Sequence, residues 1–301
     1  MNKALLLLLL ITFLIPIAVM AQFPYVGIQN SQRKGIISAM MNPAEMNNLS
    51  RSVEVQFFAA NAAFGNNILT FSETLEYSND LWNQIMERAD QPVNGNTDGS
   101  VIIPSFGMRT GKWSFGLISQ VQSRATILNL NPELGRYVTE NEVNFDLIRL
   151  AINNPNNQRA NTATWFESGI VVGREIWNSP KSKLSVGTNF KLLFPTGYTN
   201  IGVGNLRGTL VVDQGEVSLT DAEGIINFSY DESVVDTRNF NIDYNNLSFG
   251  NLNGFGFDIG FNYQLKNNKG VWLNTGMAFR NIGKLTFGGG QNNQTFRMSI
   301  P

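Results

Sequence analysis

Few side chains in this 301-residue chain have the chemistry that catalysis needs. The sequence has no histidine and no cysteine, which excludes Ser-His and Cys-His nucleophile systems, disulfides and the usual zinc ligands. Ser31 and Lys34 have the spacing of a serine nucleophile and its lysine base, but no partner motif of such enzymes follows them. Gly202-Val203-Gly204 and Gly254-Phe255-Gly256 resemble part of a phosphate-binding loop, yet neither precedes a helix pattern. We therefore expect no enzyme, no cofactor and no metal site.

The charge balance argues against a nucleic-acid partner. Charged residues make up 15% of the chain, and 22 Lys and Arg stand against 23 Asp and Glu. A nucleic-acid-binding surface needs a cationic excess to displace counterions from phosphates. The 28 glycines and 21 phenylalanines instead favour many strands joined by polar turns.

The first residues have the composition of an export signal. Lys3 precedes an apolar run over residues 4–20, and Ala21-Gln22 follows as a small-residue cleavage junction. We expect residues 1–21 to be a cleaved signal peptide; the alternative is an uncleaved transmembrane helix, because the run approaches the roughly 20 apolar residues that span a bilayer. No later stretch is comparably apolar, so any further membrane insertion must use strands.

Strict alternation of apolar and polar residues predicts strands with two different faces. Residues 254–265 alternate without exception, and residues 183–194 and 112–122 repeat the pattern. Further strand candidates are 53–72, 101–109, 164–177, 271–281 and 284–299. Lengths of about 10 to 12 residues suit tilted membrane strands better than soluble ones. A secreted soluble β-sandwich with one wet face would alternate in the same way, so both architectures stay open on this pattern.

The lengths of the connections favour a membrane barrel. Short polar turns are predicted at 110–112, 178–182 and 266–270. They alternate with long connections at 73–100, 123–163 and 196–250. Outer-membrane barrels have short periplasmic turns and long external loops. This arrangement requires 53–72 to be one strand; a hairpin around Asn61–Asn67 would invert the sidedness.

Three tryptophans, Trp113, Trp177 and Trp272, lie beside the three short turns. An aromatic girdle at a membrane interface places tryptophans there. Trp177 and Trp272 have the opposite parity to the lipid-facing residues of their strands, so the girdle requires bulges near the turns.

Two segments in the long connections have helical periodicity, residues 73–90 and 132–152. They are expected to be short helices, either packed on the rim of the barrel or acting as a lid over its mouth.

Several segments together resemble a known kind of protein. Asn42-Pro43-Ala44 ahead of the strand Val53–Phe57, followed by GFGFDIGFNYQL at 254–265 and VWLNTGMAFRNIG at 271–283, resemble an uncharacterised outer-membrane β-barrel family of Bacteroidota, a domain of unknown function. More distantly they are similar to long-chain fatty-acid transporter barrels and to barrels of the gliding-associated secretion system. The resemblance implies a plug inside the barrel that contains Asn42, Pro43 and Ala44. It divides the chain into a signal peptide at 1–21, a plug-like segment at 22–52 and a barrel at 53–301.

The chain departs from that family at its C-terminal end. Barrels of this class tend to finish on an aromatic residue, whereas this sequence finishes Arg297-Met298-Ser299-Ile300-Pro301. Family members usually run longer as well. The resemblance therefore implies that the barrel at 53–301 is incomplete, and that the whole would have roughly 14 strands, within the range of such barrels.

These observations predict an all-β protein, an antiparallel transmembrane β-barrel with short helices in long loops. We expect it in the cell outer membrane, as a passive channel or uptake route for small apolar or amphipathic molecules. The alternatives are a non-catalytic docking or scaffold barrel for secreted or surface proteins, and the secreted β-sandwich. Expected partners are outer-membrane lipid and either a small hydrophobic ligand or secreted proteins, without nucleic acid.

A channel would be lined by the polar faces of the strands. The candidate lumen residues are Asn189, Lys191, Asp258, Asn262, Gln264, Asn274 and Arg280. In a pore they would set hydration and charge selectivity. The alternative is that they fill a closed barrel with a satisfied hydrogen-bond network.

Overall fold

A computed structural model describes residues 35–132, 135, 148–154, 156–213, 216–231, 235–236, 241–242, 250–288 and 291–300. The signal peptide predicted at 1–21 and the Ser31 and Lys34 pair lie outside these residues.

The described chain is built on one antiparallel sheet of 11 strands, which confirms the predicted all-β fold. Its strands are β1 (Val53–Gln56), β2 (Ala59–Asn66), β3 (Val93–Thr110), β4 (Trp113–Leu130), β5 (Ile148–Asn154), β6 (Gln158–Asn178), β7 (Ser182–Asp213), β8 (Glu216–Asp231), β11 (Gly254–Asn267), β12 (Gly270–Leu285) and β13 (Gln291–Ile300). Two short strands, β9 (Val235–Asp236) and β10 (Asn241–Ile242), pair separately. The helices are α1 (Gly35–Met41), a 3₁₀ helix (Pro43–Asn48), α2 (Phe71–Glu76) and α3 (Leu81–Arg88).

The sheet has one continuous path of neighbouring strands. The order runs from β1 through β3, β4, β6, β7 and β11 to β12, and β2 also pairs with β3. The second half of β7 pairs with β5 and β8, and β8 pairs with β13. Among the described residues no strand pairing joins β12 to β1 or β2, so these strands form two edges of the sheet.

The segment predicted as a strand at 53–72 is one interrupted strand followed by a helix. β1 and β2 both pair antiparallel with β3, so the chain does not reverse at Asn61–Asn67. The strand ends where the side chain of Asn66 accepts hydrogen bonds from the amides of Ile68 and Leu69. Thr70 then forms a capping box with Glu73 that starts α2.

Much of the chain predicted as long loops is strand. β7 has 32 residues and continues far beyond the predicted segment 183–194. Likewise, β5 occupies the end of the segment predicted as a second helix. Beyond Phe194 the chain has glycine and polar residues on both faces. Backbone pairing forms the strand there, but the sequence lacks the apolar–polar alternation by which a strand is predicted.

Three short turns lie at one end of the sheet, which we call the turn end. They join β3 to β4, β6 to β7 and β11 to β12, and the antiparallel register brings them to the same side. Gly111 and Gly270 have positive φ values of 57° and 118° there, a conformation that glycine adopts without steric cost. At the opposite end, Ile85 and Met86 of α3 pack with Leu69 and Val93. Helix α3 is therefore packed on the rim of the sheet.

Candidate functional site

In this sheet the polar face is buried and the apolar face is exposed, the reverse of the usual arrangement in a soluble sheet. On β11, Asp258 and Asn262 are 0% and 1% exposed, whereas Phe255 and Ile259 are 64% and 44% exposed. Neighbouring strands repeat this pattern: on β7, Lys191 is buried and Phe190 exposed. Water normally drives apolar side chains inward. We call the buried polar side the inner face and the exposed apolar side the outer face.

The outer face carries a continuous group of large apolar side chains that begins at the turn end. Its members on the central strands include Trp113, Phe115, Leu117, Ile170, Val186, Phe190, Leu192, Phe255, Ile259, Phe261, Met277 and Phe279. Ring contacts cross between strands, as between Phe190 and Phe257 with centroids 5.1 Å apart. An exposed apolar surface of this extent is a site of contact with an apolar phase or a partner.

The three tryptophans named as girdle candidates all lie at the turn end and are exposed. A register shift between Glu175 and Trp177 puts Trp177 opposite Leu184, and its ring packs edge-on against Tyr263. Trp272 has no paired residue on β11, because the register between β11 and β12 shifts at this point. Bulges of this kind reset the parity of a strand, which accounts for the mismatch between these tryptophans and the alternation.

The inner face is covered near the turn end by α1 and the 3₁₀ helix, which together we call the inner segment (residues 35–49). Ile36 and Met46 of this segment pack in a buried cluster with Ile102, Ile118 and Val171 of the strands. These contacts give the inner segment an apolar anchor on an otherwise polar wall.

Asn42 connects the two helices of the inner segment and holds them to the sheet. Its side-chain oxygen accepts a hydrogen bond from the amide of Ala44 at 3.0 Å, which caps the 3₁₀ helix, and Pro43 occupies the first position of that helix. Its amide nitrogen donates to the carbonyl of Phe261 on β11 at 2.8 Å. The plug candidates Asn42, Pro43 and Ala44 therefore lie against the inner face, with Ala44 fully buried.

Glycines on the inner face make room for this segment. Gly187 of β7 lies against the backbone of Pro43, and a Cβ added to it would overlap the Pro43 carbonyl. Gly260 and Gly276 in the same way border the side chain of Asn42. The wall and the segment are therefore complementary in shape, a feature that the sequence analysis missed because these glycines fit the alternation simply as polar-face positions.

Asn47 is a second anchor of the inner segment, and it was also missed. Its carbonyl accepts hydrogen bonds from Lys183 Nζ at 2.8 Å and from Arg109 Nη1 at 3.3 Å. Its side chain accepts from Ser114 Oγ and donates to the carbonyl of Val186. The partners come from three different strands, so their spacing in sequence carries no signal.

Two of the predicted lumen residues bind the inner segment. Asn262 Nδ2 lies 2.8 Å from Glu45 Oε1, and Asn274 Nδ2 lies 3.3 Å from the same oxygen. Asn48 donates to both Glu45 and Asn262. Glu45 is thus a buried carboxylate held by amide groups.

Three other predicted lumen residues form a polar belt across the sheet. Lys191 Nζ lies 2.8 Å from Asp258 Oδ2 and 3.4 Å from Glu167 Oε1, all three side chains being buried. Asn189 donates to Asp258 at 3.4 Å. The belt continues on β4, where Gln120 and Gln122 donate to Glu167. The Lys191 ammonium compensates one of the two carboxylate charges, and the remaining carboxylate oxygens accept hydrogen bonds from neutral N–H groups.

The belt ends at a bulge in β12. Asn281 has a positive φ of 57°, and its backbone N–H donates to Asp258 Oδ1 at 2.7 Å. Its side-chain oxygen accepts from Lys191 at 2.8 Å. The last two candidates are on the same face: Gln264 is buried opposite Lys183 in the register, and Arg280 is half-buried beside the bulge.

Beyond the belt lies a cavity of about 860 Å³. Its lining residues come from β2 and the adjoining Asn67, from β3, β4 and β12, and from β6 through Trp165. Because β2 and β12 are the two edges of the sheet, the sheet curls until both edges border one space. Arg280 is the member of the predicted lumen set that lines this cavity.

Within the described ranges, no cluster of three or more potential metal ligands occurs. None of the helices in that part of the chain is long and apolar enough to cross a bilayer.

Comparison with known proteins gives one match. A family model described as "Family of unknown function" (DUF5723) matches residues 43–300, from the start of the 3₁₀ helix to the end of β13. No curated protein and no solved structure matches the chain.

Proposed function

We propose that this chain, which belongs to the family of unknown function DUF5723, is an outer-membrane β-barrel protein that provides a plugged route for small molecules. The observation that carries this proposal is the exposed apolar outer face on a sheet whose inner face is polar and buried. Lipid is the environment in which that distribution is stable.

The height of the apolar outer face supports the proposal. On β7 its residues run from Leu184 to Phe194, and the ten steps between them give roughly 33 Å at the usual rise of a strand. With the usual strand tilt of roughly 40°, this spans roughly 25 Å, the height of the apolar band of outer-membrane barrels. Trp113 and Trp177 lie at its turn end.

The inner segment supports the plugged state. It fills the inner face at the turn end through the contacts of Asn42, Glu45 and Asn47 with the strands. Passage of a solute therefore requires that the segment move relative to the wall. The hydrogen bonds of Glu45 and Asn47 are the contacts that such a movement must break.

The residues of the inner wall also indicate which class of solute the route can accept. The sequence predicts small apolar or amphipathic solutes, and the 860 Å³ cavity is lined by amide and hydroxyl side chains together with Ile127, Leu128 and Trp165. A route with such walls favours solutes that can form hydrogen bonds.

Cell fractionation tests the location. The full-length gene product is expressed and its gel mobility is compared with and without boiling. We expect it in the outer-membrane fraction with a mobility that changes on heating. A protein that stays soluble in the periplasm or medium would contradict the proposal.

Single-channel recording tests the route. Conductance is compared between the wild type and a double variant, Glu45→Ala with Asn47→Ala, which removes side-chain contacts of the inner segment. We expect the double variant to conduct more often or more strongly. If neither protein conducts, the channel proposal is contradicted and the docking scaffold remains as the candidate function.

A docking scaffold for secreted or surface proteins is the second candidate, favoured by one observation. β7 continues from Pro195 to Asp213 beyond the apolar band, and β5, β8 and β13 pair in that region. Such an extension would project from the membrane. Stable co-purification of a defined protein, lost when residues 216–231 are exchanged for a short turn, would favour the scaffold over the channel.

A further inference from the structure

We propose that the 860 Å³ cavity is a binding site for a small hydrophilic anion, with Arg280 as the cation that receives its carboxylate or phosphate group. This inference rests on the proposed function, since it names the class of solute that enters the route. It is carried by the unfilled hydrogen-bonding capacity of Arg280 and by the chemistry of the surrounding wall.

Arg280 lacks an oxygen acceptor among the described residues. Its guanidinium contacts the thioether of Met41, with Nη1 to Sδ at 3.7 Å, and its Nε is buried without a hydrogen-bond partner. Sulfur is a weak acceptor. A guanidinium has five N–H donors in a planar fork that matches an oxyanion, so a carboxylate or phosphate is the partner best suited to it.

The carboxylates around the cavity are already engaged. Asp98 pairs with Arg124, and Asp258 accepts from Lys191 and from the backbone of Asn281. Glu167 accepts from Lys191 and two glutamines. Within the described chain, Arg280 thus remains the cation of this region that is not in contact with a carboxylate.

The position of Arg280 also suits a ligand contact. It lines the cavity while its guanidinium touches Met41, the last residue of α1. The side chain therefore separates the cavity from the inner segment. An anion that binds Arg280 would lie at the inner end of the cavity, beside the plug.

The remaining lining indicates a hydrophilic ligand. Amide, hydroxyl and glycine positions are the most frequent, among them Asn61, Asn96, Ser100, Gln122, Ser123 and Thr126. The apolar members are Ala63, Ile127, Leu128, Trp165 and Ala278. A long alkyl chain would remove water from these polar groups, whereas a solute rich in hydroxyl or carboxylate groups keeps them in a polar environment. A cavity of about 860 Å³ accommodates such a solute.

The test is equilibrium binding to the purified full-length chain in detergent. Inorganic phosphate and citrate are titrated by calorimetry as the two anionic probes, with sucrose as the neutral probe. The variants are Arg280→Gln and the matched control Arg297→Gln, which changes an exposed arginine on β13. We expect saturable binding of phosphate, citrate or both to the wild type and control, a loss of at least tenfold in affinity in R280Q, and weaker binding at high salt.

A second variant keeps the test informative if R280Q does not fold. Thr126→Asp adds a negative charge to the cavity wall and should weaken anion binding while Arg280 is intact. Equal anion affinity in R280Q and wild type, binding of sucrose as tight as that of the anions, or no anion binding to the folded wild type would each overturn the inference. These results are distinct from failure of the membrane proposal, which fractionation reports independently of binding.

Discussion

Gly187 on β7 and Pro43 in the inner segment meet backbone to backbone, with no space between them for a side chain. This contact sets how closely the 3₁₀ helix approaches the wall. It also places the helix so that Asn42 and Asn47 reach their partners on β11 and β7.

The first prediction follows from this contact. Gly187→Ala should destabilise the folded protein by about 1–3 kcal/mol, the usual cost of overpacking. Stability is measured as the denaturant concentration at which half of the protein has changed its gel mobility from that of the folded to that of the unfolded form. The control is Gly99→Ala, where an added Cβ would lie 3.9 Å from its nearest neighbour. Equal midpoints for the two variants would show that the segment does not press on Gly187.

Lys191 provides the second prediction. Lys191→Met should cost about 3–5 kcal/mol, because it leaves the buried carboxylates of Glu167 and Asp258 without a cation. The matched control is Arg207→Met, which breaks an exposed ion pair with Glu223 and should cost less than about 1 kcal/mol. Unfolding of both variants in denaturant gives the comparison. A Lys191→Met protein as stable as the control would mean that the belt is not a closed network.

The outer face gives the third prediction. Phe190→Lys should destabilise the protein in a bilayer by roughly 2–4 kcal/mol, the cost of a cation on the lipid face near the midplane. Ile201→Lys changes an exposed apolar residue beyond the band and should be nearly neutral. Folding into phosphatidylcholine vesicles is the measurement. If Phe190→Lys is tolerated as well as Ile201→Lys, water and not lipid covers this face.

Glu73 gives the fourth prediction, on pH. Hydrogen bonds from the backbone amide and the hydroxyl of Thr70 lower the pKa of the Glu73 carboxyl, and Arg88 lowers it further. Because this pKa is lower in the folded state, the stabilisation is present above the carboxyl's ordinary pKa and is lost as pH falls through the lowered one. Amide hydrogen exchange over residues 71–76 should therefore quicken, relative to unfolded peptide rates, in acid.

The control for this pH effect is Glu73→Gln, which keeps a capping side chain without its charge. Its relative protection should be lower than that of the wild type at neutral pH and should not change through the same acidic range. An acid-induced change of the same size in Glu73→Gln would assign the effect to another group.

Alternation predicted the strand at 254–265 and the division of its residues into two faces. It did not determine which face is exposed, because alternation is symmetric between a lipid-facing and a core-facing apolar side. The exposure of Phe255 and the burial of Asp258 decide this in the structure.

Other features had no signal in the sequence. Asn47 forms hydrogen bonds with Lys183 and Val186, which are more than 130 residues away in sequence. Such contacts depend on the register of the strands, and no local sequence pattern specifies that register. Trp177 needed a bulge to reach the outer face. The outer half of β7 has polar residues on both faces, so its strand character had no period to detect.

The contacts of Asn42 also bear on the order of assembly. The residue is made before every strand of the sheet, yet its partner Phe261 follows it by 219 positions. Closing so large a loop is entropically costly and slow, so this hydrogen bond forms only after β11 has joined the sheet. The contacts of Asn47 with β3, β4 and β7 need no residue beyond β7. Until then the inner segment is anchored on one side only, so its position on the wall is fixed last.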